Sequence, residues 1–302
     1  MNPAGVRLAP IDTLEGFHDC ERLQQAIWGF RDMAVVPHHL LITVQVHGGL
    51  LLGAYAKDDK GGAERLIGFL FGFPGLEQLD GRWQPKHCSL MCAVLPEWRA
   101  RGIAHRLKLA QRDFVRAQGL ELVTWTFDPL VSRNAHFNFA KLGVIARRYE
   151  VDYYGDMGDE LNRGLPTDRF TVEWWVSSPR VVARIERPSQ DDYQQLERLP
   201  HVNQTTFQKG RLVNDTFALE LRDDALLVEI PWDIETLKQS DLSLAQHWRL
   251  ETRQIFTHYF QRDYLVSEFL VDRRDRKKPP RSYYLLERID REGVLKRGTG
   301  LL

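Results

Sequence analysis

The chain has 302 residues, which at about 150 per domain is room for one large or two ordinary domains. Lys+Arg and Asp+Glu each number 41, so the formal net charge is zero and no basic excess is present to hold nucleic acid or an anionic membrane by bulk charge. With 43% hydrophobic and 27% charged residues, the composition is that of a globular chain and not a disordered one.

Val6 to Ile11 reads as a short strand, and Asp12 or Thr13 caps a helix carrying Leu14, Phe17, Leu23, Ile27 and Trp28. Pro37 opens a second helix, Pro37 to His47, which Gly48-Gly49 ends. The apolar runs Leu50 to Ala56 and Leu66 to Phe73 form a hairpin through the turn-rich segment Lys57 to Glu64. A loop from Pro74 to Pro85 then leads into a strand at Cys88 to Leu95.

The three cysteines are Cys20, Cys88 and Cys92. An odd count, with no apolar leader in Met1 to Pro10, predicts buried thiols in a reducing cytoplasm. Cys88 and Cys92, four apart on one strand, are expected to share a face about 13 Å apart, too far for a disulfide. No histidine pair at metal-site spacing accompanies them, so no metal is expected. The longest apolar runs, such as Gly48 to Ala56, are too short to span a bilayer, which argues against a membrane partner.

Pro96 ends the strand, and Ile103 to Gln118 follows as a helix. Its residues Ile103, Leu107, Ala110, Phe114 and Ala117 predict one buried stripe, stopped by Gly119. Leu120 to Phe127 is a strand, and Ser132 to Leu142 a helix closed by Gly143. Val144 to Tyr153 and Phe170 to Val176 are strands on either side of the loop Gly155 to Asp168. Pro179 and Pro188 bracket a junction, which divides the chain into domains 1–180 and 181–302.

Beyond it the pattern gives strands at Phe217 to Leu221 and Leu226 to Ile230, a long helix at Leu242 to Gln261, and strands at Tyr264 to Val271 and Ser282 to Arg288. Arg273, Arg274, Arg276, Lys277 and Lys278 crowd the loop Asp272 to Arg281, where two prolines and two aspartates favour a solvated turn over a nucleic-acid patch. Ala104, Lys108, Leu109 and Arg112 have counterparts in Ala245, Arg249, Leu250 and Arg253 at a constant offset of 141. Duplication explains this; so does shared amphipathic patterning.

The segment with the clearest chemistry is Val94-Leu95-Pro96-Glu97-Trp98-Arg99-Ala100-Arg101-Gly102-Ile103-Ala104. A strand stops, a short basic turn contains one glycine, and a helix begins. The helix start offers unpaired N–H groups and the positive end of a dipole, Gly102 lets the backbone approach a ligand, and Arg99 and Arg101 add cations. Together these make a cradle for a pyrophosphate.

Arg99-Ala100-Arg101-Gly102-Ile103-Ala104 resembles the Arg/Gln-x-x-Gly-x-Gly/Ala acyl-CoA motif of the GNAT acyltransferases, and Ala135 with Lys141-Leu142-Gly143 resembles their second motif. The resemblance covers roughly residues 5 to 178, and Thr126-Phe127-Asp128-Pro129-Leu130 with Asn134-Ala135-His136-Phe137-Asn138, and Thr167-Asp168-Arg169-Phe170 with Glu173-Trp174-Trp175, are similar to a large bacterial branch with a C-terminal extension. It implies an α/β (α+β) fold: a mixed, mostly antiparallel sheet flanked by helices, followed by a smaller α+β domain that a degenerate GNAT-like repeat would explain. It implies acetyl-CoA or another acyl-CoA as co-substrate, with the acyl arm along Ala93, Val94 and Leu95. The pyrophosphate would lie on the amides from Arg99 through Arg101, Gly102, Ile103 and Ala104; Ser132 stands where the family usually has an asparagine, and Asn134, two residues later, would substitute for it. The acceptor amine would attack the thioester directly.

Phe139 stands where that family often has a proton-donating tyrosine. Tyr149, Tyr153 and His136 are then the candidate acids, and Glu97 and Asp128 the candidate bases, with His38 and His39 on the acceptor side. The branch further implies a small-molecule amine acceptor, an amino acid among them, and an acetyl or other short acyl donor, succinyl among them. Arg169, or Arg249 with Arg253 one helical turn apart, would clamp a carboxylate, or else form surface ion pairs as long basic residues on an amphipathic helix do. Two other readings stay open: a CoA-binding or regulatory module without turnover, and an assembly scaffold. A homodimer is compatible with each.

Overall fold

The computed structural model describes residues 5–30, 34–57, 62–155, 164–187, 198–275 and 278–297. They form two compact units, one from residues up to 125 and the other from 126 on. Each is built around its own strands.

In the first unit, β1 (Val6–Pro10) leads into α1 (Leu14–Trp28), capped by the Thr13 hydroxyl, which accepts the Gly16 N–H at 3.1 Å. α2 (His38–Val46) follows, then β2 (Leu50–Lys57), β3 (Glu64–Leu79) and β4 (Arg82–Val94). α3 (Ile103–Ala117) returns the chain to β5 (Leu122–Phe127). The strand order is β1-β2-β3-β4-β5, antiparallel except where β4 meets β5. One face packs Leu52, Ile67, Leu70 and Val94 against Ile103 and Leu107 of α3. The other packs Phe69, Phe71 and Ala93 against Phe17 and Leu23 of α1 and Leu41 of α2.

Three expectations change here. The segment Pro74 to Pro85 is not a loop, because β3 and β4 continue through it as a hairpin, Pro74 opposite His87 and Leu76 opposite Pro85. Its tip is Asp80-Gly81, with φ of 51° and 76°, the left-handed pair that a two-residue hairpin turn demands. Cys88 and Cys92 do not share a face. Ser89 and Met91 lie opposite Gly72 and Phe71, so Leu90 is an extra residue that reverses the alternation. Cys92 packs on the α3 side, whereas Cys88 pairs with Phe73 of the opposite layer. The buried face of α3 is Ile103, Leu107, Lys108, Gln111 and Val115; Ala117 is exposed.

The second unit begins with α4 (Ser132–His136), continued by a wider helical turn over Phe137–Leu142 and stopped by left-handed Gly143. β6 (Ile145–Glu150), β7 (Arg169–Trp175) and α5 (Pro179–Glu186) follow, with the Ser178 hydroxyl capping α5. β8 (Asn203–Gln208) and β9 (Arg211–Phe217) form a separate hairpin where only Phe217 to Leu221 was expected as strand. Then come β10 (Ala225–Ile230), α6 (Ile234–Ser240), α7 (Leu242–Phe260), β11 (Leu265–Asp272), β12 (Arg281–Glu287) and α8 (Arg291–Lys296). The sheet order is β7-β6-β11-β12-β10.

The order of elements from β1 to β7 is the one the GNAT resemblance implies, and the fold is mixed α+β with a mostly antiparallel sheet. The compact units, however, divide at 125/126 and not at the expected 180/181. The reason is an aromatic core: Phe127, Phe139 and Phe170 pack with Phe256 and Tyr284, at ring separations of 4.8 Å for Phe170–Phe256 and 5.8 Å for Phe139–Tyr284. The strand–proline–helix–strand pattern recurs, yet the sheet does not repeat. β4 pairs directly with β5, whereas β12 lies between β10 and β11, antiparallel to both. No described helix is long and apolar enough to cross a membrane.

Candidate functional site

In the first unit, β4 and β5 run parallel and bridge at His87–Val123 and Cys88–Thr124. No further bridge joins them among the described residues, while β3 follows the other edge of β4 all the way to Val94. The two strands therefore part beyond Cys88, just where the Leu90 bulge bends β4, and the edge from Ser89 to Val94 is left open. The side chains of Ala93 and Val94 are committed to opposite core layers, so only their backbone can serve a ligand.

A 3₁₀ turn at Pro96–Trp98 ends β4. Arg99 folds back, its Nε donating to the Val94 carbonyl at 3.1 Å. Ala100 has φ of 60° and Gly102 of 76°, so two left-handed residues two apart reverse the chain into α3. Alanine in this region is strained by about 1 kcal/mol, and it is held there by the turn. Gly102 is the N-cap of α3 and offers no side chain to its first amides. A Cβ at Gly102 would meet no protein atom within 4 Å, so the glycine answers the backbone angle, and the space in front of it is open. The first ladder bond of α3 comes from the Arg106 N–H to the Gly102 carbonyl, which leaves the N–H groups of Ile103 and Ala104 at the helix mouth.

The arginines around this mouth are fixed. The Arg101 guanidinium stacks over the Trp98 ring at 4.7 Å, and Arg106 donates to the Val6 carbonyl at 3.0 Å. Glu97 lies on the same turn, exposed, in an ion pair with Arg65 at 3.2 Å. This arrangement can bind a compact polyanion on backbone amides, with an extended chain continuing along the open strand edge.

Sequence reasoning missed a polar cluster behind this edge. Lys108 is buried, with its Nζ donating to Ser89 Oγ at 2.8 Å and Gln111 Oε1 at 3.2 Å and lying 3.6 Å from the Trp125 ring centroid. Burial pulls its pKa down to about 8. His87 is buried beside it, with neither ring nitrogen hydrogen-bonded, and burial together with the Lys108 charge pulls it down to about 4. Lys108 and Gln111 occupy the α3 face next to the apolar stripe, and only a wider reading of that stripe signals them.

In the second unit, Asp128 and Tyr149 meet in one charge network. Asp128 pairs with Arg249 and accepts the Leu130 N–H at 2.8 Å, with Arg169 3.9 Å away. Tyr149 donates to Asp168 at 2.7 Å, and Arg253 grips the same carboxylate through two bonds of 2.8 Å. Burial raises the Tyr149 phenol, and the Asp168 carboxylate adds to it. Arg249 and Arg253 are therefore bound to the chain's own aspartates, and Arg169 donates to the Asp168 carbonyl at 2.9 Å and stacks on Tyr154. The carboxylate clamp expected of them is filled internally.

Asn134 is exposed on α4, and Phe139 is fully buried in the aromatic core. Ser132 donates to the Pro231 carbonyl at 3.0 Å. In the basic loop, Arg274 pairs with Asp272 at 2.9 Å and Lys278 with Asp275 at 3.3 Å, as a solvated turn requires; Arg276 and Lys277 lie outside the described residues.

No family model matches the chain, and no curated protein matches it. Among solved structures it is similar to the NatC complex bound to a Gag peptide and CoA, at 18% identity and a TM-score of 0.43 over 56% of this chain and 97% of that one. It is also similar to a protein from Desulfovibrio desulfuricans described as an acetyltransferase of the GNAT family, at 17% identity and a TM-score of 0.43 over 57% of this chain and 99% of that one. A third is the ribosomal-protein-S18-alanine N-acetyltransferase of Escherichia coli, at 11% identity and a TM-score of 0.41 over 57% and 94%.

Proposed function

We propose that the chain is an acyl-CoA-dependent N-acyltransferase of the GNAT type. The observation that carries the reading is the turn Arg99–Ala104, where left-handed Ala100 and Gly102 present the uncapped amides of α3 beside the open edge of β4. The CoA pyrophosphate lies on those amides with Arg99 and Arg101 at its rim, and the acyl arm follows the backbone of Ala93, Val94 and Leu95.

In the reaction the acceptor nitrogen attacks the thioester carbonyl, the C–S bond breaks, and one amine proton is lost while the thiolate gains one. An ammonium of pKa about 10 needs a base before it can attack. Of the proposed catalytic residues, Glu97 follows the strand end that would carry the acyl arm and is exposed, in an ion pair with Arg65 at 3.2 Å, and it is the base assigned here. Asp128 and Tyr149 are assigned to holding the Arg249 and Asp168 network together. The acceptor is a small-molecule amine, with amino acids the first class to screen, and the donor a short acyl-CoA, acetyl or succinyl.

A second reading, a CoA-binding module without turnover, is favoured by Phe139, because a buried phenylalanine in an aromatic core can donate no proton. Thiol release from acetyl-CoA and succinyl-CoA with a panel of amines and D- and L-amino acids separates the two. Turnover above the buffer rate on any amine establishes the transferase. CoA binding with no turnover on the whole panel leaves the binding module, and no binding rejects both.

A further inference from the structure

The first unit carries a cluster that the proposed chemistry does not use. His18 and Glu21 lie three apart on α1, and His38 is the first residue of α2. One donor atom from each lies within 4.8 Å of the other two. Both imidazoles turn Nδ1 to one carboxylate, His18 to Glu21 Oε2 at 2.7 Å and His38 to Glu21 Oε1 at 3.0 Å, and the two ring centroids are 4.5 Å apart. Glu21 Oε1 also accepts the His38 N–H at 2.6 Å, which substitutes for the cap that Pro37 lacks. Capping explains one carboxylate oxygen. It does not explain two imidazoles converging on the pair.

We propose that His18, Glu21 and His38 form a binding site for a divalent transition ion of the Zn²⁺ class, clipping α1 to the start of α2. Two imidazole nitrogens and a carboxylate suit borderline ions and not Mg²⁺ or Ca²⁺, which want more oxygen donors. Metal–ligand bonds of about 2.1 Å in a tetrahedron put neighbouring donors about 3.4 Å apart. The two Nδ1–carboxylate edges are therefore already within about 0.7 Å of that value. Each histidine is more than a third exposed, so small side-chain rotations open the triangle without disturbing the core. Three protein donors leave one tetrahedral position for water or a further ligand. The ion closes a loop between positions 18 and 38, and such a tie stabilises the chain by restricting the unfolded state.

The test is calorimetric titration of Zn²⁺ into the full metal-free chain, together with Co²⁺ absorption, whose d–d bands report the coordination number. One equivalent is expected to bind and to raise Tm. His18→Ala and His38→Gln should each weaken binding roughly a hundredfold and abolish the four-coordinate Co²⁺ spectrum. His47→Ala, at the exposed end of α2, should bind as the parent does. Far-UV circular dichroism of the metal-free variants shows whether the fold is kept, and His18→Gln replaces any that fails. Absence of Zn²⁺ binding to the parent overturns the proposal, and so does binding that survives in both histidine variants. CoA binding is read separately, so failure here leaves the transferase reading untouched.

Discussion

Replacing Lys108 by methionine is expected to stabilise the protein at neutral pH, although it removes two hydrogen bonds. The ammonium is buried between α3 and β4, bonded to Ser89 and Gln111 and lying over Trp125. Burial pulls its pKa from 10.5 to about 8, with the nearby Cys92 opposing the fall. A folded pKa below the unfolded one means that the unfolded chain holds the proton more tightly. The penalty is complete below about pH 8 and fades as pH rises toward 10.5. A displacement of about 2.5 units corresponds to about 3 kcal/mol at pH 7.

Methionine fills the space of the lysine stem, and Ser89 Oγ still donates to Gln111 Oε1 at 3.1 Å, so neither partner is stranded. Allowing about 1 kcal/mol for the lost contacts leaves a gain of about 2 kcal/mol. Urea denaturation followed by tryptophan fluorescence, for parent and variant at pH 7 and pH 10, measures it. The gain should shrink to less than half by pH 10. A variant less stable than the parent at pH 7, or a difference that ignores pH, would show that the buried ammonium carries no such penalty.

His87 gives the acid counterpart. Its folded pKa, about 4, lies below the ordinary 6.5, so stability should fall by about 3 kcal/mol as pH drops from about 6.5 to about 4. Denaturation of His87→Gln should show that slope flattened, and Lys108→Met should soften it by removing a neighbouring positive charge. Asp128→Asn takes the counter-charge from the fully buried Arg249 and should cost about 3 kcal/mol in urea unfolding with kcat little changed. A stable variant with kcat lost would instead make Asp128 the base. Gly102→Val forces a β-branched residue to φ of 76°, which should cost about 1–2 kcal/mol of stability and weaken CoA binding about tenfold or more.

What the sequence conveyed was local. The strand, Pro96, Gly102 and the helix start are contiguous, and the turn they form was legible because helix mouths follow fixed rules. The Asp80-Gly81 hairpin was equally local and was obscured by Pro74 and Pro85, which sit within the β3–β4 ladder opposite His87 and Leu76. The Leu90 bulge was hidden for another reason. One extra residue carries no compositional mark, yet it sends Cys88 and Cys92 to opposite faces.

Long-range pairings were beyond reach altogether. Asp128 meets Arg249 across 121 positions and Asp168 meets Arg253 across 85, so the chain's own aspartates hold the arginines that the resemblance offered to a ligand carboxylate. His18 and His38 are joined through Glu21 by the crossing of α1 and α2, which no spacing rule for a single helix contains.

On the proposed function, the Arg99–Ala104 turn binds the pyrophosphate of CoA. Calorimetric titration of CoA into the parent chain and into Arg101→Glu tests it directly. Saturable one-site binding to the parent is expected, weakened at least about tenfold by the charge reversal, with unchanged urea unfolding. No heat with the parent, or equal affinity in both proteins, would contradict it.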